Sequence, residues 1–253
     1  MTSDNNFKDL FSLQADDYLK FRPTYPQKLF EYLSSLTPSH DIAWDVGTGN
    51  GQAVLELAKT FNQVIATDPS KQQLSRAPHH PKVKYKENKA EASPLANDSA
   101  DLITAAQAFH WFTHEIFFKE VKRVAKQDSI LAIWCYELAT ITPEIDKVVE
   151  YYYRQVVGDF WEPERKYVET GYKTIQIPFD ELSAPDFQME AHWSLDHLLG
   201  YLNTWSATQK AVKKRMNDHP LSQIRDSLTK AWGSSLTRSV VWPLSIRIFR
   251  IKK

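Results

Sequence analysis

Apolar residues along this chain follow two rhythms, and the switches between them mark a series of strands and helices. Ile42, Trp44 and Val46 take alternate places in DIAWDV (41–46), which predicts a strand. In GQAVLELAKTF (51–61), Val54, Leu55, Leu57, Ala58 and Phe61 stand at helical spacing. VIAT (64–67) predicts a second strand, SKQQLSRA (70–77) a short helix and VKYKE (83–87) a third strand. DLITAA (101–106) and SILAIWCY (129–136) read as buried strands. Between them a helix is expected from the cap Thr113 through Lys126, with Glu115 in its first turn and Lys122 and Arg123 towards its end, as the helix dipole favours. Strands this continuously apolar, alternating with helices, predict a parallel sheet covered on both faces.

Upstream, FRPTYP (21–26) is barred from helix through Arg22, because a residue before proline is pushed towards extended backbone. Pro26 suits the first position of a helix that carries Leu29, Phe30, Leu33 and Leu36 on one face. Beyond residue 137 the rhythm changes. Residues 142–170 read as helical and charged, 172–185 as an extended stretch closed by Pro178 and Pro185, and 195–232 as two or three helices split near Pro220. SVVWPLSIRIFRI (239–251) is a late strand whose Pro243 implies a bulge or an edge. With no repeat, no low-complexity tract and only 7 glycines, the chain reads as one domain with helical insertions.

Charge narrows the function classes. Thirty-one Lys and Arg balance 31 Asp and Glu, so no basic excess is available to neutralise nucleic-acid phosphates. No apolar run approaches a membrane span, MTSDNNFKDL lacks the features of a signal peptide, and the single Cys135 forms no internal disulfide. A cytoplasmic protein, monomeric or homodimeric, is expected, acting on a small molecule and touching neither nucleic acid nor membrane. The eight histidines lack metal-binding spacing, so no metal is expected; His79-His80 reads as an exposed loop dipeptide. Cys135 reads as a small buried hydrophobe.

The informative segment is AWDVGTGNGQA (43–53): a strand, glycines at 47, 49 and 51, then a helix. Glycine permits positive φ and close backbone approach, and the helix start offers free N–H groups. The spacing is not the dinucleotide G-x-G-x-x-G. Asp45, two places before the first glycine, would crowd a pyrophosphate but suits a cationic amino-acid tail. Asp68 ends the second strand, where a carboxylate accepts both hydroxyls of a ribose. Taken singly, the glycines also fit a tight turn and Asp68 a helix cap.

Together with FRPTYP, DLITAAQAFHWF (101–112), TWSAT (204–208) and VVWPL (240–244), this loop makes the chain resemble the class I S-adenosylmethionine-dependent methyltransferases. More narrowly it is similar to the small-molecule branch that includes the trans-aconitate methyltransferases and related type 11 methyltransferases. The resemblance implies an α/β, Rossmann-like, seven-stranded and mostly parallel sheet with an antiparallel last strand and helical cap insertions. It divides the domain into a strap and helix (1–40), a cofactor-binding core (41–136), a mostly helical substrate cap (137–235) and the last strand (236–253).

S-adenosyl-L-methionine is the implied cofactor. Asp45 with Gly47, Thr48, Gly49 and Gly51 would hold its methionyl end, Asp68, Pro69 and Ser70 its ribose, and Tyr18 and Arg22 its carboxylate or the substrate. Arg22 alternatively pairs with Asp16 or Asp17. Where relatives carry Asp-Ala before the adenine loop, this chain has Lys89-Ala90, which shifts the adenine contact to Ala90 and Glu91. Gln107 bonds either the cofactor's amino group or neighbouring backbone. His110 is a candidate base if the acceptor is a hydroxyl or amine; for a carboxylate acceptor no base is needed and Arg22 carries the weight. Tyr25, Trp111, Trp134 and Tyr136 are expected to line the substrate pocket, while Trp161 and Trp205 read more readily as core. The rival readings are a non-catalytic module binding the same cofactor and, at greater distance, a nicotinamide-dependent oxidoreductase.

Overall fold

In the computed structural model, which describes residues 21–214 and 218–253, five parallel strands build one side of a single sheet. They are β1 (Ile42–Val46), β2 (Gln63–Asp68), β3 (Val83–Glu87), β4 (Ala100–Ala106) and β5 (Ala125–Tyr136), in the spatial order β3-β2-β1-β4-β5. The crossovers carry helices α1 (Gln27–Ser35, preceding β1), α2 (Val54–Thr60), α3 (Lys71–Leu74) and α4 (His114–Val124). The last strand, β8 (Arg238–Ile251), pairs antiparallel with β5 from Ser129↔Ile251 to Tyr136↔Leu244.

Two short strands lie along the outer edge of β8. β6 (Asp180–Leu182) pairs with its residues 248–250, and β7 (Phe187–Trp193) with its residues 238–244. Both run with β1–β5 and share one edge, so eight strands fill seven positions and β8 alone runs against the rest. The interruption, Ser183–Asp186, contains Pro185, which has no N–H to give a ladder. The segment 137–235 is therefore not only a helical cap, since it also supplies this edge. Its helices are α5 (Pro143–Tyr151), α6 (Arg165–Glu169), α7 (Leu195–Asn203), α8 (Ser206–Lys213) and α9 (Ser222–Trp232), with a π-helical turn at Tyr152–Val156.

Alternate residues of the central strands feed two cores. Leu102, Ile130 and Trp134 pack under Leu29, Phe30 and Leu33 of α1 and Val54 and Leu57 of α2. Ile103, Leu131 and Ile133 pack on the other face against Phe117 and Val121 of α4. Each such side chain contributes about 1.5–3 kcal/mol on burial, which is why these strands read as unbroken apolar runs.

Several local expectations are corrected. α4 stops at Val124, because Ala125, fully buried, already pairs with Ala100 in the sheet. Thr113 gives α4 no side-chain cap; instead the Thr113 amide donates to Glu91 Oε1 at 2.6 Å. Pro26 sits one place earlier than expected, as the N-cap of α1. Pro243 stands one place before Leu244, the first β8 residue to pair with β5, so it lies outside the β5 ladder and is matched only by Gln188 of β7.

Candidate active site

The site lies at the C-terminal ends of β1, β2, β4 and β5, where a parallel sheet leaves a crevice. After β1 the chain turns through Gly47 (φ +65°), Gly49 (φ +56°) and Gly51 (φ +83°) into α2. A Cβ on Gly47 would lie 2.5 Å from the Ala108 Cβ, and one on Gly51 would lie 3.1 Å from the Tyr85 hydroxyl. Those two glycines serve close packing. A Cβ on Gly49 would meet nothing within 4 Å among the described residues, unlike those on the other two glycines of the loop.

Two carboxylates brace the loop. Asp45, 1% exposed, accepts from the Thr48 hydroxyl at 2.6 Å and from the Thr104 hydroxyl at 2.7 Å, which ties the loop to β4. Burial, with the Asp68 charge adding to it, pushes the Asp45 pKa up to about 6. Asp68 accepts from the Gly49 amide at 2.9 Å and from the Ser70 amide at 2.8 Å, and the Ser70 hydroxyl caps α3 through the Gln73 amide. Pro69 lies between them, partly exposed. Ala90 is buried just beyond β3, whose continuation donates from the Asn88 amide to the Asp68 backbone carbonyl at 3.2 Å. Glu91 is spent on capping α4.

Beside the loop, Gln107 adopts φ +53°, and Ala108 packs against Gly47. The Gln107 side-chain amide donates to the Tyr136 carbonyl at 2.9 Å. Its Oε1 is buried without a hydrogen-bond partner among the described residues. The nitrogen therefore serves the backbone, and the oxygen is left to receive a donor from a ligand.

The adjoining pocket is lined by Arg22, Gln107, His110, Trp111 and Tyr136, and roofed by Trp161, Arg165, Tyr201 and Trp205 with Glu137, Glu162 and Ser206. Arg22 donates to the Tyr136 hydroxyl at 3.2 Å and to the Thr204 carbonyl at 3.4 Å, and stands 5.1 Å over the Tyr201 ring. Arg165 lies 4.8 Å over Trp161 and donates to the Tyr153 hydroxyl at 2.8 Å. Glu162 is paired with Lys210. The His110 Nδ1 lies 3.0 Å from the Tyr172 hydroxyl, and burial together with the Arg165 charge lowers its pKa to about 3. An imidazole so weakly basic stays neutral throughout the physiological range.

Tyr25 and Trp134 do not reach this pocket. Trp134 shares its strand face with Tyr136 but lies two residues deeper, fully buried beneath Tyr25 (5.5 Å, edge-on) and Phe30. Trp161 and Trp205, which read as core, do line it. Tyr18, Asp16 and Asp17 fall outside the described residues. Glu137, Arg165, Tyr172 and Tyr201 went unforeseen, because nothing in their local spacing separates them from a solvated helix or a core aromatic.

Residues 44–133 match the family described as Methyltransferase domain. A Dictyostelium discoideum protein that carries a methyltransferase name is 36% identical over 233 residues, spanning 90% of this chain and 88% of its own. A solved structure from Anaeromyxobacter dehalogenans, described as a type II methyltransferase, superposes with a TM-score of 0.85 at 42% identity, over 92% of this chain and 99% of that one. The chain belongs to the class I S-adenosylmethionine-dependent methyltransferases. A Saccharomyces cerevisiae protein whose name gives the same cofactor is 27% identical over about half of each chain, 49% of this one and 46% of its own.

The methyltransferase's own residues fit that cofactor. Gly49 leaves room at the loop among the described residues, the Asp68 carboxylate stands at the end of β2, and the Gln107 Oε1 is a buried acceptor suited to an ammonium group. Two carboxylates at the loop favour a cationic ligand and oppose the pyrophosphate of a nicotinamide nucleotide. Asp68→Ala should weaken cofactor binding by about 1.5–3 kcal/mol and also lower the melting temperature, since the Gly49 and Ser70 amides lose their acceptor. Unchanged affinity in titration calorimetry would exclude the ribose role.

Asp45 makes a second prediction. Its carboxyl, half-protonated at about pH 6, becomes anionic above that value and then attracts a cationic ligand. Binding a cation lowers the Asp45 pKa in turn, so affinity for S-adenosylmethionine should rise between pH 5 and pH 7. The uncharged sulfur of S-adenosylhomocysteine should show a smaller rise, and Asp45→Asn should flatten both. Equal slopes for wild type and Asp45→Asn would rule Asp45 out as the titrating group.

Proposed function

We propose that this methyltransferase methylates a carboxylate oxygen of a small, flat acid, a reading that places it beside the trans-aconitate methyltransferases its sequence resembles. The observation that carries the proposal is the pairing of cations with a silent base. Arg22 and Arg165 enter a pocket walled by Trp111, Tyr136, Trp161, Tyr201 and Trp205, while His110 is held neutral with a pKa near 3.

S-adenosylmethionine, when bound, supplies an electrophilic methyl on a sulfonium. A carboxylate acceptor arrives already deprotonated, so the protein's task is to bind, align and dehydrate it. Arg22 is fixed by Tyr136, Thr204 and Tyr201 and holds a positive charge at the pocket wall that attracts an anion. The aromatic planes exclude water and leave a slot for an unsaturated or aromatic acid.

Glu137 supports a second reading. It lines the same pocket, and burial raises its pKa, which suits it to take a proton from a hydroxyl acceptor. Incubating the full chain with methyl-labelled cofactor and a panel of small acids and phenols separates the two. Carboxylate methylation gives esters that mild alkali cleaves; alkali-stable ethers as the only products would overturn the carboxylate assignment.

A further inference from the structure

Among the described residues Tyr172 is the one fully buried tyrosine whose hydroxyl touches a pocket residue, and its backbone is unusual. It sits at φ +61° directly after Gly171 at φ +56°, where a Cβ on Gly171 would come within 2.8 Å of Ser245. A bulky residue in the left-handed region persists only where its surroundings over-determine it, and such strain gathers at functional sites. Here the surroundings do so. The Tyr172 amide donates to the Tyr167 carbonyl at 2.8 Å, and the Arg247 guanidinium donates to the Tyr172 carbonyl at 2.9 Å. The Tyr172 ring meets Phe109 edge-on at 5.3 Å and lies nearly parallel to the His110 ring. The result is a rigid mount for one hydroxyl, 3.0 Å from the His110 Nδ1.

The direction of that hydrogen bond follows from proton accounting. With Tyr172 fully buried, its hydroxyl proton needs an acceptor inside the protein. The Cys135 sulfur lies within reach of that hydroxyl but is a weak acceptor, and it points its own proton at the Val168 carbonyl. An imidazole nitrogen is the strong acceptor at hand. Were Nδ1 the protonated nitrogen, it would donate to the phenol and leave the phenol's proton only the Cys135 sulfur, a far weaker acceptor than an imidazole nitrogen. A lone pair on Nδ1 puts the ring's proton on Nε2, and that nitrogen has no protein partner among the described residues.

We propose that Tyr172 is a positioning residue that locks His110 as the Nε2–H tautomer, so that His110 serves the pocket as an uncharged hydrogen-bond donor and not as a base. The role rests on the carboxylate reading above. Arg22 and Arg165 already supply the positive charge that draws the acid in. Because a carboxylate loses its charge as it is methylated, a third cation in the form of an imidazolium would add stabilisation to the reactant more than to the transition state. A neutral donor to the non-reacting oxygen orients the acid without that penalty. The groups facing His110 favour neutrality: Arg165 from α6 and His114 from α4 repel a positive ring, Tyr172 is held uncharged by burial, and Glu137 across the pocket is itself pushed towards its neutral form.

The test needs no methyl acceptor. Long-range proton–nitrogen correlation spectra of the full chain labelled with ¹⁵N-histidine should show His110 with an unprotonated Nδ1 and a protonated Nε2 from pH 5 to pH 9. Tyr172→Phe, which keeps the ring, should shift both nitrogens towards a tautomer mixture while affinity for S-adenosylhomocysteine changes less than about threefold. With a carboxylate acceptor the same variant should lower kcat about tenfold or more. A wild-type His110 protonated at Nδ1, or titrating near neutrality, would overturn the proposal, as would an unchanged tautomer in Tyr172→Phe. If only ethers are formed but the tautomer is as stated, the acceptor class fails and the Tyr172–His110 lock stands.

Discussion

Gly49→Val should abolish binding of S-adenosylmethionine, by 10²-fold or more, while the protein stays folded. The two effects separate because of where the Gly49 Cβ would point. Among the described residues nothing lies within 4 Å of that position, so there the ligand-free chain pays only for a β-branched residue at φ +56°. That cost is about 1–2 kcal/mol, a drop of only several degrees in melting temperature for a chain of this size. A bound ligand approaching the Gly49 amide would meet the added side chain directly. Gly47→Ala provides the contrast, since its Cβ would strike the Ala108 Cβ at 2.5 Å and the damage should appear in stability first. Calorimetry and thermal melts on both variants check the pair. Normal cofactor binding by Gly49→Val would mean that the open side of the loop is only a turn facing solvent.

Arg22→Ala should lower kcat/KM on a carboxylate acceptor by about 10²-fold or more. An anion in a drying pocket that loses its cation retains most of its desolvation cost, and 10² corresponds to about 2.7 kcal/mol in the barrier. The substitution also removes the donors to the Tyr136 hydroxyl and the Thr204 carbonyl, so some loosening of the pocket roof is expected. Arg22→Lys keeps a charge but loses the fork that spans those two oxygens, and should fall between wild type and alanine. On an uncharged acceptor of the same shape the alanine variant should change turnover little. A loss below threefold on the acid, in a variant that still melts like wild type, would remove Arg22 from acceptor binding.

How much of this was legible in advance depends on how far along the chain each feature reaches. The parallel core was legible because a strand buried on both faces must be largely apolar, and DLITAA and SILAIWCY are, Asp101, Thr104 and Ser129 aside. The cofactor loop was legible because only glycine takes positive φ cheaply at three alternate places, and because two acids end successive strands. β7 was legible in principle: Phe187, Met189, Ala191 and Trp193 alternate with polar neighbours at the strand period, although the sequence reading passed over them.

Other features lay outside what one chain shows of itself. Trp134 and Tyr136 share a strand face and a chemistry. Their difference in depth is set by Tyr25 and Phe30, more than a hundred residues away in sequence. Glu91 looks free to meet a ligand until the fold brings the Thr113 amide to it. Arg165 and Tyr172 sit in an ordinary charged helical stretch and the turn that follows. They become pocket and mount only because that segment folds back over the ends of β4 and β5. Backbone conformation and strand burial are dictated by the residues at hand, so sequence by itself determined the sheet and the cofactor loop. Which side chains meet across the crevice depends on long-range packing, and that the tertiary structure alone decided.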